Sequence, residues 1–317
     1  MAERMEAVVF DRFGGPDVFE VRDVERPEPL PTEVLVRVEA AAVNPVDWKT
    51  RAGGGVSKLL GPPPWTVGWD VAGIVEAVGP GVTRFAPGDE VHGMPRFPHP
   101  ARGYAGFVTC PSRHLARKPE VLEMVEAAAL PLAGLTAWQA LVDTARLEAG
   151  QRVLIHAAAG GVGHLAAQIA KAVGAEVIGT ARAAKHDFLR RIGVDEPVDY
   201  TAVDVGDVVG GVDVVLDCVG GDAGRRSLPC LRPGGMLIVV PSASDPGVLV
   251  EARERGLRAT GILVEPDYAS LERLDALVAE GKLRPEIDTV LPLAEAAKAH
   301  EIGEQGRTQG KLVLRTG

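Results

Sequence analysis

The chain has 317 residues and a net charge of −9, with 46% hydrophobic and 24% charged residues. This length exceeds one ordinary hydrophobic core, so two domains are expected. The basic residues form no block, no apolar run is long enough to span a bilayer, and the N-terminal stretch shows no signal-peptide pattern. We therefore expect a cytoplasmic protein that binds neither nucleic acid nor membrane.

The first segment, residues 1–123, has the pattern of a mostly β domain. Short runs of alternating apolar residues are broken by Gly and Pro, and few helical periods occur. The predicted strands are Ala7–Phe10, Phe19–Arg22, Glu33–Ala42, Val71–Val78, Glu90–Gly93 and Tyr104–Cys110.

The central segment, residues 124–264, alternates helical patterns with nearly continuous apolar strands. Such strands suit a parallel sheet buried on both faces, and the alternation indicates a doubly wound α/β fold. The predicted strands are Val153–Ile155, Glu176–Thr180, Val198–Tyr200, Val212–Cys218, Met236–Val240 and Arg258–Val264. Residues 265–317 hold further helical and strand patterns, and we expect this tail to return to the first domain.

A turn of small residues joins the first central strand to a helix. It reads Ala158-x-Gly160-x-x-Gly163, the dinucleotide-binding fingerprint with alanine in place of its first glycine. Gly160 allows the backbone to approach a pyrophosphate, and Gly163 allows the helix to lie close to the sheet. We predict that Gly160, Gly161, Val162 and Gly163 bind the pyrophosphate of a dinucleotide. The alternative is a purely structural turn.

The residues after the second central strand bear on the choice of dinucleotide. An NAD site usually has an acid at this position, but here Thr180 is followed by Arg182 and Lys185. Two cations suit a 2′-phosphate, so NADPH is the predicted cofactor; the alternative is a pair of solvated helix-start residues. At the ends of two later strands, Val240 and Leu263 are predicted to adjoin the nicotinamide.

Five blocks of sequence resemble the medium-chain dehydrogenase/reductase family. The resemblance is to its zinc-free quinone oxidoreductase branch, which includes zeta-crystallin and the enone and alkenal reductases. The blocks are Val43–Lys49 (VNPVDWK), Gly68–Gly73 (GWDVAG), Leu130–Ala137 (LPLAGLTA), Ala157–Gly163 (AAAGGVG) and Gly310–Leu314 (GKLVL). The resemblance implies a GroES-like β domain, a Rossmann domain that binds NADPH, and a homodimer.

The resemblance also implies roles for single residues. Lys185 and Tyr200 fall where the family contacts the 2′-phosphate, and Arg182 replaces the serine that is usual there. Thr136 falls where relatives bring a hydroxyl toward the cofactor. Lys49 falls where the enone reductases place a lysine that faces the nicotinamide ribose and the substrate; the alternative is an exposed lysine on a short helix.

The residues at the family's metal positions argue against zinc. Zinc-dependent relatives need Cys, His or carboxylate ligands, but two of these positions hold Asn44 and Trp69 here. The three cysteines, Cys110, Cys218 and Cys230, are too widely spaced for a structural zinc site. We predict no metal, and we predict that Asn44 is a neutral donor beside the nicotinamide; the alternative is a turn residue.

Without a Lewis acid, hydride transfer from NADPH needs an acceptor that is already electrophilic, or a donor that polarises its carbonyl group. A quinone or an α,β-unsaturated carbonyl compound meets this need. We predict an NADPH-dependent reductase of a small apolar or planar carbonyl substrate, with Lys49 and Asn44 at the catalytic centre. Two alternatives stay open: a discrete enoyl reductase acting on polyketide or acyl thioesters, and a non-catalytic NADPH-binding protein of crystallin-like or regulatory type.

Overall fold

Residues 3–241 and 246–316 are described by a computed structural model of the chain. Contacts between residues divide the chain into two compact units. The first contains the residues up to Leu135, Glu265–Ala279 and the residues from Arg284 onward, and the second contains Thr136–Val264 and Glu280–Leu283. In the described part of the chain, no helix is long and apolar enough to cross a bilayer.

The strands and helices are numbered in chain order. The strands are β1 (Arg4–Val9), β2 (Glu20–Glu25), β3 (Glu33–Val43), β4 (Asp70–Val78), β5 (Glu90–Gly93), β6 (Phe107–Pro111), β7 (Leu115–Arg117), β8 (Arg152–Ile155), β9 (Glu176–Thr180), β10 (Glu196–Val198), β11 (Val212–Asp217), β12 (Leu231–Val239), β13 (Arg258–Gly261), β14 (Ile287–Pro292) and β15 (Lys311–Arg315). The helices are α1 (Pro45–Arg51), α2 (Met124–Ala129), α3 (Pro131–Trp138), α4 (Gly161–Val173), α5 (His186–Arg191), α6 (Val205–Val208), α7 (Asp222–Arg226), α8 (Gly247–Glu254), α9 (Tyr268–Ala279) and α10 (Ala296–Glu304).

The first unit is built on a mixed sheet with the strand order β14-β15-β3-β4-β5-β7. The long strand β3 pairs with β6 along its first half and with β15 along its second half, both antiparallel. Strands β1 and β2 form a separate antiparallel pair. The last strand of the chain therefore lies beside one of the first, in a single sheet.

The second unit is a sheet of six strands in the order β10-β9-β8-β11-β12-β13. Every neighbouring pair is parallel. This is the Rossmann order, in which the chain starts at the centre of the sheet and winds to both sides. Buried apolar side chains fill the core on the sheet, among them Leu154, Ile178, Val215 and Leu237. The predicted fold class, a GroES-like β domain plus a Rossmann α/β domain, is confirmed.

The first unit extends further along the chain than residue 123. Its contacts end at Leu135, because α2 packs on β3, β4 and β15 and the Leu132 N–H donates to the buried Asp70 carboxylate at 2.7 Å. Helical periodicity began near residue 124, but it does not show which unit a helix packs on. The other division, after Val264, coincides with the end of the predicted central segment.

Four central strands end earlier than their apolar runs predicted. Strand β10 ends at Val198, β11 at Asp217, β12 at Val239 and β13 at Gly261. Tyr200 and Leu263 consequently lie in the connections that follow their strands. An apolar run marks burial, whereas a strand also needs a neighbouring strand with which to pair.

A buried histidine joins β5 to α9 within the first unit. The His92 side chain is 0% exposed, and its Nε2 atom lies 3.1 Å from Asp275 Oδ1, while Nδ1 lies 3.1 Å from the Ala127 carbonyl oxygen. Burial lowers the pKa of His92, but the charge and hydrogen bond of Asp275 outweigh burial and raise the pKa above its usual value. The protonated imidazole is therefore the form that this pair stabilises.

We predict that Asp275→Asn lowers the free energy of unfolding by about 1–3 kcal/mol at pH 6, and by less at pH 8.5. The folded pKa is raised, so the pair contributes fully below the unfolded value of 6.5 and is lost as the pH rises through the folded value. Urea unfolding across this pH range measures the difference. Asp17→Asn is the control, because that side chain is 75% exposed. An equal effect of Asp275→Asn at both pH values would contradict the prediction.

Candidate active site

The turn after β8 has the geometry that an anion site needs. A Cβ atom on Gly163 would lie 2.3 Å from the Ala157 carbonyl oxygen, so only glycine lets α4 sit this close to the turn. The left-handed backbone conformation falls on Ala157 (φ 50°) and not on Ala158, which explains why alanine is tolerated at the first fingerprint position. The N–H groups of Gly161 to Gly163 begin α4 and have no acceptor inside the helix.

Two of the predicted 2′-phosphate residues lie together at the carboxyl edge of the sheet. Arg182 follows β9 and Tyr200 follows β10, and these strands are parallel neighbours. Arg182 Nε lies 3.4 Å from Tyr200 Oη, and both side chains are exposed. Lys185 ends the short 3-10 turn Ala183–Lys185 that Arg182 begins. The edge therefore presents two cations and a phenol from one small region.

Asp199 is a carboxylate beside this group that the sequence reasoning missed. Its Oδ1 atom accepts the hydroxyl and the N–H of Thr201, at 2.7 and 2.9 Å, and Oδ2 accepts the Ala183 N–H at 3.2 Å. These hydrogen bonds, that of the Thr201 hydroxyl first, hold the pKa of Asp199 below its usual value. The ionised carboxylate therefore fixes the two loops that carry Arg182 and Tyr200.

His156, directly after β8, is a structural residue of the second unit. Its Nδ1 atom lies 3.2 Å from Thr180 Oγ1, and Nε2 lies 2.5 Å from Ser227 Oγ. Burial lowers the pKa of His156, so the ring stays neutral at physiological pH. With both nitrogens engaged, this histidine ties β8 to β9 and to the turn at Ser227.

The other predicted cofactor residues lie at separate places in the second unit. Val240 follows β12, and its N–H donates to the Asp217 carbonyl oxygen at 2.9 Å. Leu263 follows β13 and is 62% exposed. Both residues are at the carboxyl edge of the sheet, where dinucleotides bind in folds of this kind. Thr136 lies in α3 and is 3% exposed, so its hydroxyl is shielded from solvent.

In the first unit, Asn44 belongs to a buried polar cluster with Asp70 and Lys311. Asn44 Nδ2 donates to Asp70 Oδ2 at 2.8 Å, and Lys311 Nζ donates to Asn44 Oδ1 and, at 3.2 Å, to Asp70 Oδ2. None of the three residues is more than 2% exposed. These hydrogen bonds use the amide oxygen of Asn44 and one of its two amide hydrogens, which fixes the orientation of the side chain.

Asp47 lies beside this cluster and fixes the start of α1. Its Oδ2 atom accepts the Asn44 N–H at 2.7 Å, and Oδ1 accepts the Gly68 N–H at 3.0 Å. Burial first, and the charge of Asp70 with it, raise the pKa of Asp47 to about 7 against the opposing effects of the two N–H donors and Lys311. This carboxyl group therefore titrates near neutral pH.

Lys49 lies one helical turn away from Asn44, on the exposed side of α1. Across residues 3–241 and 246–316, no hydrogen bond or ion pair engages its ammonium group. A lysine without a protein partner can reach a ligand. The structure thus places the two predicted catalytic residues on one short helix, Asn44 fixed at its start and Lys49 free at its surface.

The residues at the family's metal positions do not fit zinc. Trp69 is fully buried, and its indole N–H donates to the His99 carbonyl oxygen at 2.8 Å. Both polar atoms of the Asn44 side chain are hydrogen-bonded, and the Lys311 ammonium adds a positive charge beside it. Within the described residues, no group of three or more His, Cys, Asp or Glu side chains is placed to hold a metal ion.

Asp70 and Lys311, like Asp199, are residues of the candidate site to which the sequence reasoning assigned no role. Both lie in blocks that carried the family resemblance, Gly68–Gly73 and Gly310–Leu314. The available signal was a charged residue at the start of a mostly apolar strand, β4 in one case and β15 in the other. The pairing itself needed the fold, because 241 residues separate them.

Comparisons with known proteins place the chain in one family. Residues 30–120 match the alcohol dehydrogenase GroES-like domain, and residues 192–314 match the zinc-binding dehydrogenase model. A 2-haloacrylate reductase from Burkholderia sp is 36% identical over 97% of this chain and 98% of its own length. A quinone oxidoreductase from Sus scrofa is 35% identical over 98% and 97%, respectively. The solved quinone oxidoreductase from Coxiella burnetii is 41% identical, with a TM-score of 0.94 over 99% of both chains.

These relatives match nearly the whole chain, so they concern both units. The second family model is described by zinc binding and covers residues 192–314, whereas Asn44 and Trp69, an amide and an indole at the family's ligand positions, lie in the region matched by the GroES-like model. The sheet order of the second unit and the turn before α4 fit a nicotinamide dinucleotide. The chain belongs to the medium-chain dehydrogenase/reductase family of oxidoreductases, which bind a nicotinamide cofactor, and its relatives there include quinone oxidoreductases.

Proposed function

We propose that this protein is an NADPH-dependent reductase of quinones or α,β-unsaturated carbonyl compounds that works without zinc. The observation that carries the proposal is the buried cluster of Asn44, Asp70 and Lys311, which occupies the family's metal region with an amide, a carboxylate and an ammonium group. The ammonium group of Lys311 already binds the side-chain oxygens of Asn44 and Asp70 that a metal ion would need. The names of the relatives, quinone oxidoreductase and 2-haloacrylate reductase, support acceptors that are already activated.

The proposed reaction fits the residues of the first unit. Bound NADPH supplies the hydride. Lys49 donates a hydrogen bond to the substrate oxygen on which negative charge develops, and so stabilises it. The remaining amide hydrogen of Asn44 orients the cofactor or the substrate. Lys49, or a water molecule that it holds, supplies the proton that completes the reduction, and Lys49 is reprotonated from solvent. Because such an acceptor needs little polarisation, a single cationic donor is sufficient.

The proposed preference for NADPH depends on the edge formed by Arg182, Lys185 and Tyr200. A guanidinium and an ammonium group match the charge of a 2′-phosphate, and the phenol adds a hydrogen-bond donor. The 3.4 Å contact between Arg182 and Tyr200 supports a common ligand. The nearby Asp199 accepts hydrogen bonds from Ala183 and Thr201 and so holds the two loops that carry Arg182 and Tyr200.

We predict that Arg182→Ala raises the Kd for NADPH about tenfold, the value of one charge-assisted contact, and changes the Kd for NADH less than twofold. Fluorescence titration with each nucleotide measures both constants. Arg190→Ala is the matched control, since that exposed cation pairs with Asp187 on α5. A parallel loss of affinity for both nucleotides would show that Arg182 does not contact the 2′-phosphate.

We predict that Lys49→Met lowers kcat for 3-penten-2-one about a hundredfold, the usual cost of removing one oxyanion donor. The loss with 1,4-benzoquinone is expected to be under tenfold, because the quinone accepts hydride with less help. Steady-state NADPH oxidation gives both values. Lys58→Met, which removes another exposed lysine of the first unit, is the control. If Lys49→Met matches the wild type with both acceptors, Lys49 is not the donor.

We also predict that the protein is active without bound metal. After dialysis against a strong chelator, kcat with 1,4-benzoquinone should be unchanged, and elemental analysis should find far less than one zinc per chain. Added zinc should not increase the rate. If chelation abolishes turnover and added zinc restores it, the prediction that Asn44 and Trp69 leave the protein without a zinc site is wrong.

The two alternative functions give different results in the same assay. A discrete enoyl reductase would turn over crotonyl-pantetheine with a kcat/KM far above that for 3-penten-2-one. A non-catalytic NADPH-binding protein would bind the nucleotide tightly yet leave NADPH absorbance constant with quinones, enones and thioesters alike. A higher kcat/KM for the free quinone and the free enone than for the thioester supports the proposal.

A further inference from the structure

A chain of buried polar side chains connects the two ends of α1. Arg51, the last residue of the helix, donates from Nη1 to His300 Nδ1 at 3.1 Å. His300 Nε2 lies 3.2 Å from the Tyr104 hydroxyl. The Tyr104 hydroxyl interacts in turn with the carboxylate of Asp47, near the start of the helix. Tyr104, His300 and Asp47 are all 0% exposed.

The residue types determine the direction of the first two hydrogen bonds in this chain, from Arg51 to His300 and from His300 to Tyr104. Arg51 can only donate, so His300 accepts at Nδ1. Burial and the Arg51 charge lower the pKa of His300 to about 3, so the neutral ring carries its one proton on Nε2 and donates to Tyr104. Burial and the charge of Asp47 raise the pKa of Tyr104, so its hydroxyl, having accepted, keeps its own proton available for the carboxylate of Asp47. The donor sequence runs from Arg51 through His300 and Tyr104 to Asp47.

Arg51 and Asp47 are four residues apart, so they share the inner face of α1. Arg51 is 2% exposed, and it is held further by Glu304 Oε1 at 2.5 Å and by the Gly14 carbonyl oxygen at 3.1 Å. Lys49 is on the exposed face of the same helix. The bridge therefore fixes the inner face of the helix that presents Lys49 to its ligand.

Packing gives Tyr104 and His300 no alternative position. A Cβ atom on Gly68 would lie 2.4 Å from Tyr104 Cδ1, so the ring lies directly on the Gly68 backbone, whose N–H donates to Asp47. The His300 ring packs edge-on against Phe19 and Trp48, at centroid distances of 4.9 and 6.3 Å. A helix of only seven residues is marginal by itself, so such external bonds determine its position.

We propose that Tyr104 and His300 are positioning residues, which act through Asp47 to hold α1 and Lys49 in place for hydride transfer. This inference rests on the proposed function only for the role of Lys49. The groups that face Asp47 are Tyr104, Asp70, Lys311 and the N–H groups of Asn44 and Gly68. The N–H groups of Asn44 and Gly68 donate to different oxygens of Asp47, so a proton on either oxygen opposes one of these two hydrogen bonds.

The kinetic test compares Tyr104→Phe with the wild type, using NADPH and 3-penten-2-one from pH 5.5 to 8.5. We expect kcat to fall about tenfold at pH 7, the equivalent of one hydrogen bond, with the KM for NADPH changed less than twofold. Loss of a donor to Asp47 should also move the acid limb of the kcat profile upward by about one pH unit. Tyr268→Phe, which removes a hydroxyl bonded to Arg113 on the surface of the same unit, is the matched control.

A second pair of variants separates positioning from simple loss of packing. His300→Gln keeps a neutral acceptor and donor and should retain most of the turnover, whereas His300→Leu keeps the volume but removes both and should resemble Tyr104→Phe. Equal kcat values and equal pH profiles for Tyr104→Phe and Tyr268→Phe would overturn the proposal. Equal loss in His300→Gln and His300→Leu would overturn it as well.

Amide hydrogen exchange tests the same inference without turnover. The N–H groups of Asn44 and Gly68 should exchange about tenfold faster in Tyr104→Phe than in the wild type or in Tyr268→Phe. Unchanged exchange would overturn the positioning role. The wild type could fail to oxidise NADPH with every acceptor tested while these amides still exchange faster in Tyr104→Phe. The proposed function would then fail, whereas the positioning of α1 by Tyr104 and His300 would stand.

Discussion

The first unit depends on one buried ion pair. Lys311 and Asp70 lie 3.2 Å apart, with side chains 2% and 0% exposed, and charges removed from water at this depth must be paired. Lys311 begins β15 and Asp70 begins β4, while Asn44, bonded to both, follows β3. The pair therefore fixes where the end of the chain joins the sheet, and it fixes the residue from which α1 starts.

The second unit depends on a different constraint, the close approach of α4 to the turn after β8. A side chain at Gly163 would collide with the Ala157 carbonyl group, so the sequence must place glycine there. This local requirement made the dinucleotide fingerprint predictable without a structure. The strands of the sheet were predictable too, since strands buried on both faces are apolar along their length. The observed order of β8 to β13 follows from right-handed crossovers on both sides of the first strand.

The long-range contacts were not predictable in the same way. The hydrogen bond between Tyr104 and His300 joins residues that are 196 positions apart, and no periodicity relates them. Asp199 was overlooked because the acid that selects NAD is expected after the second strand of this unit, β9. Asp199 follows the third strand, β10. For Asn44 the sequence showed that the residue cannot bind zinc, but not that Asp70 and Lys311 already engage its amide. Residue types indicate possible chemistry, and only the fold shows which partners are present.

The buried cluster also decides which lysine can act on a substrate. The charge of Lys311 is neutralised by Asp70, and its ammonium group cannot leave Asn44 without exposing two unpaired charges to a low dielectric. Lys49 is exposed on α1 and bonded to no described residue. A donor for an oxyanion must be near its target and yet not be held by an acceptor of the protein. Lys311 is thus the fixed ammonium group of the buried cluster, whereas the exposed Lys49 is the one that we propose acts on the substrate.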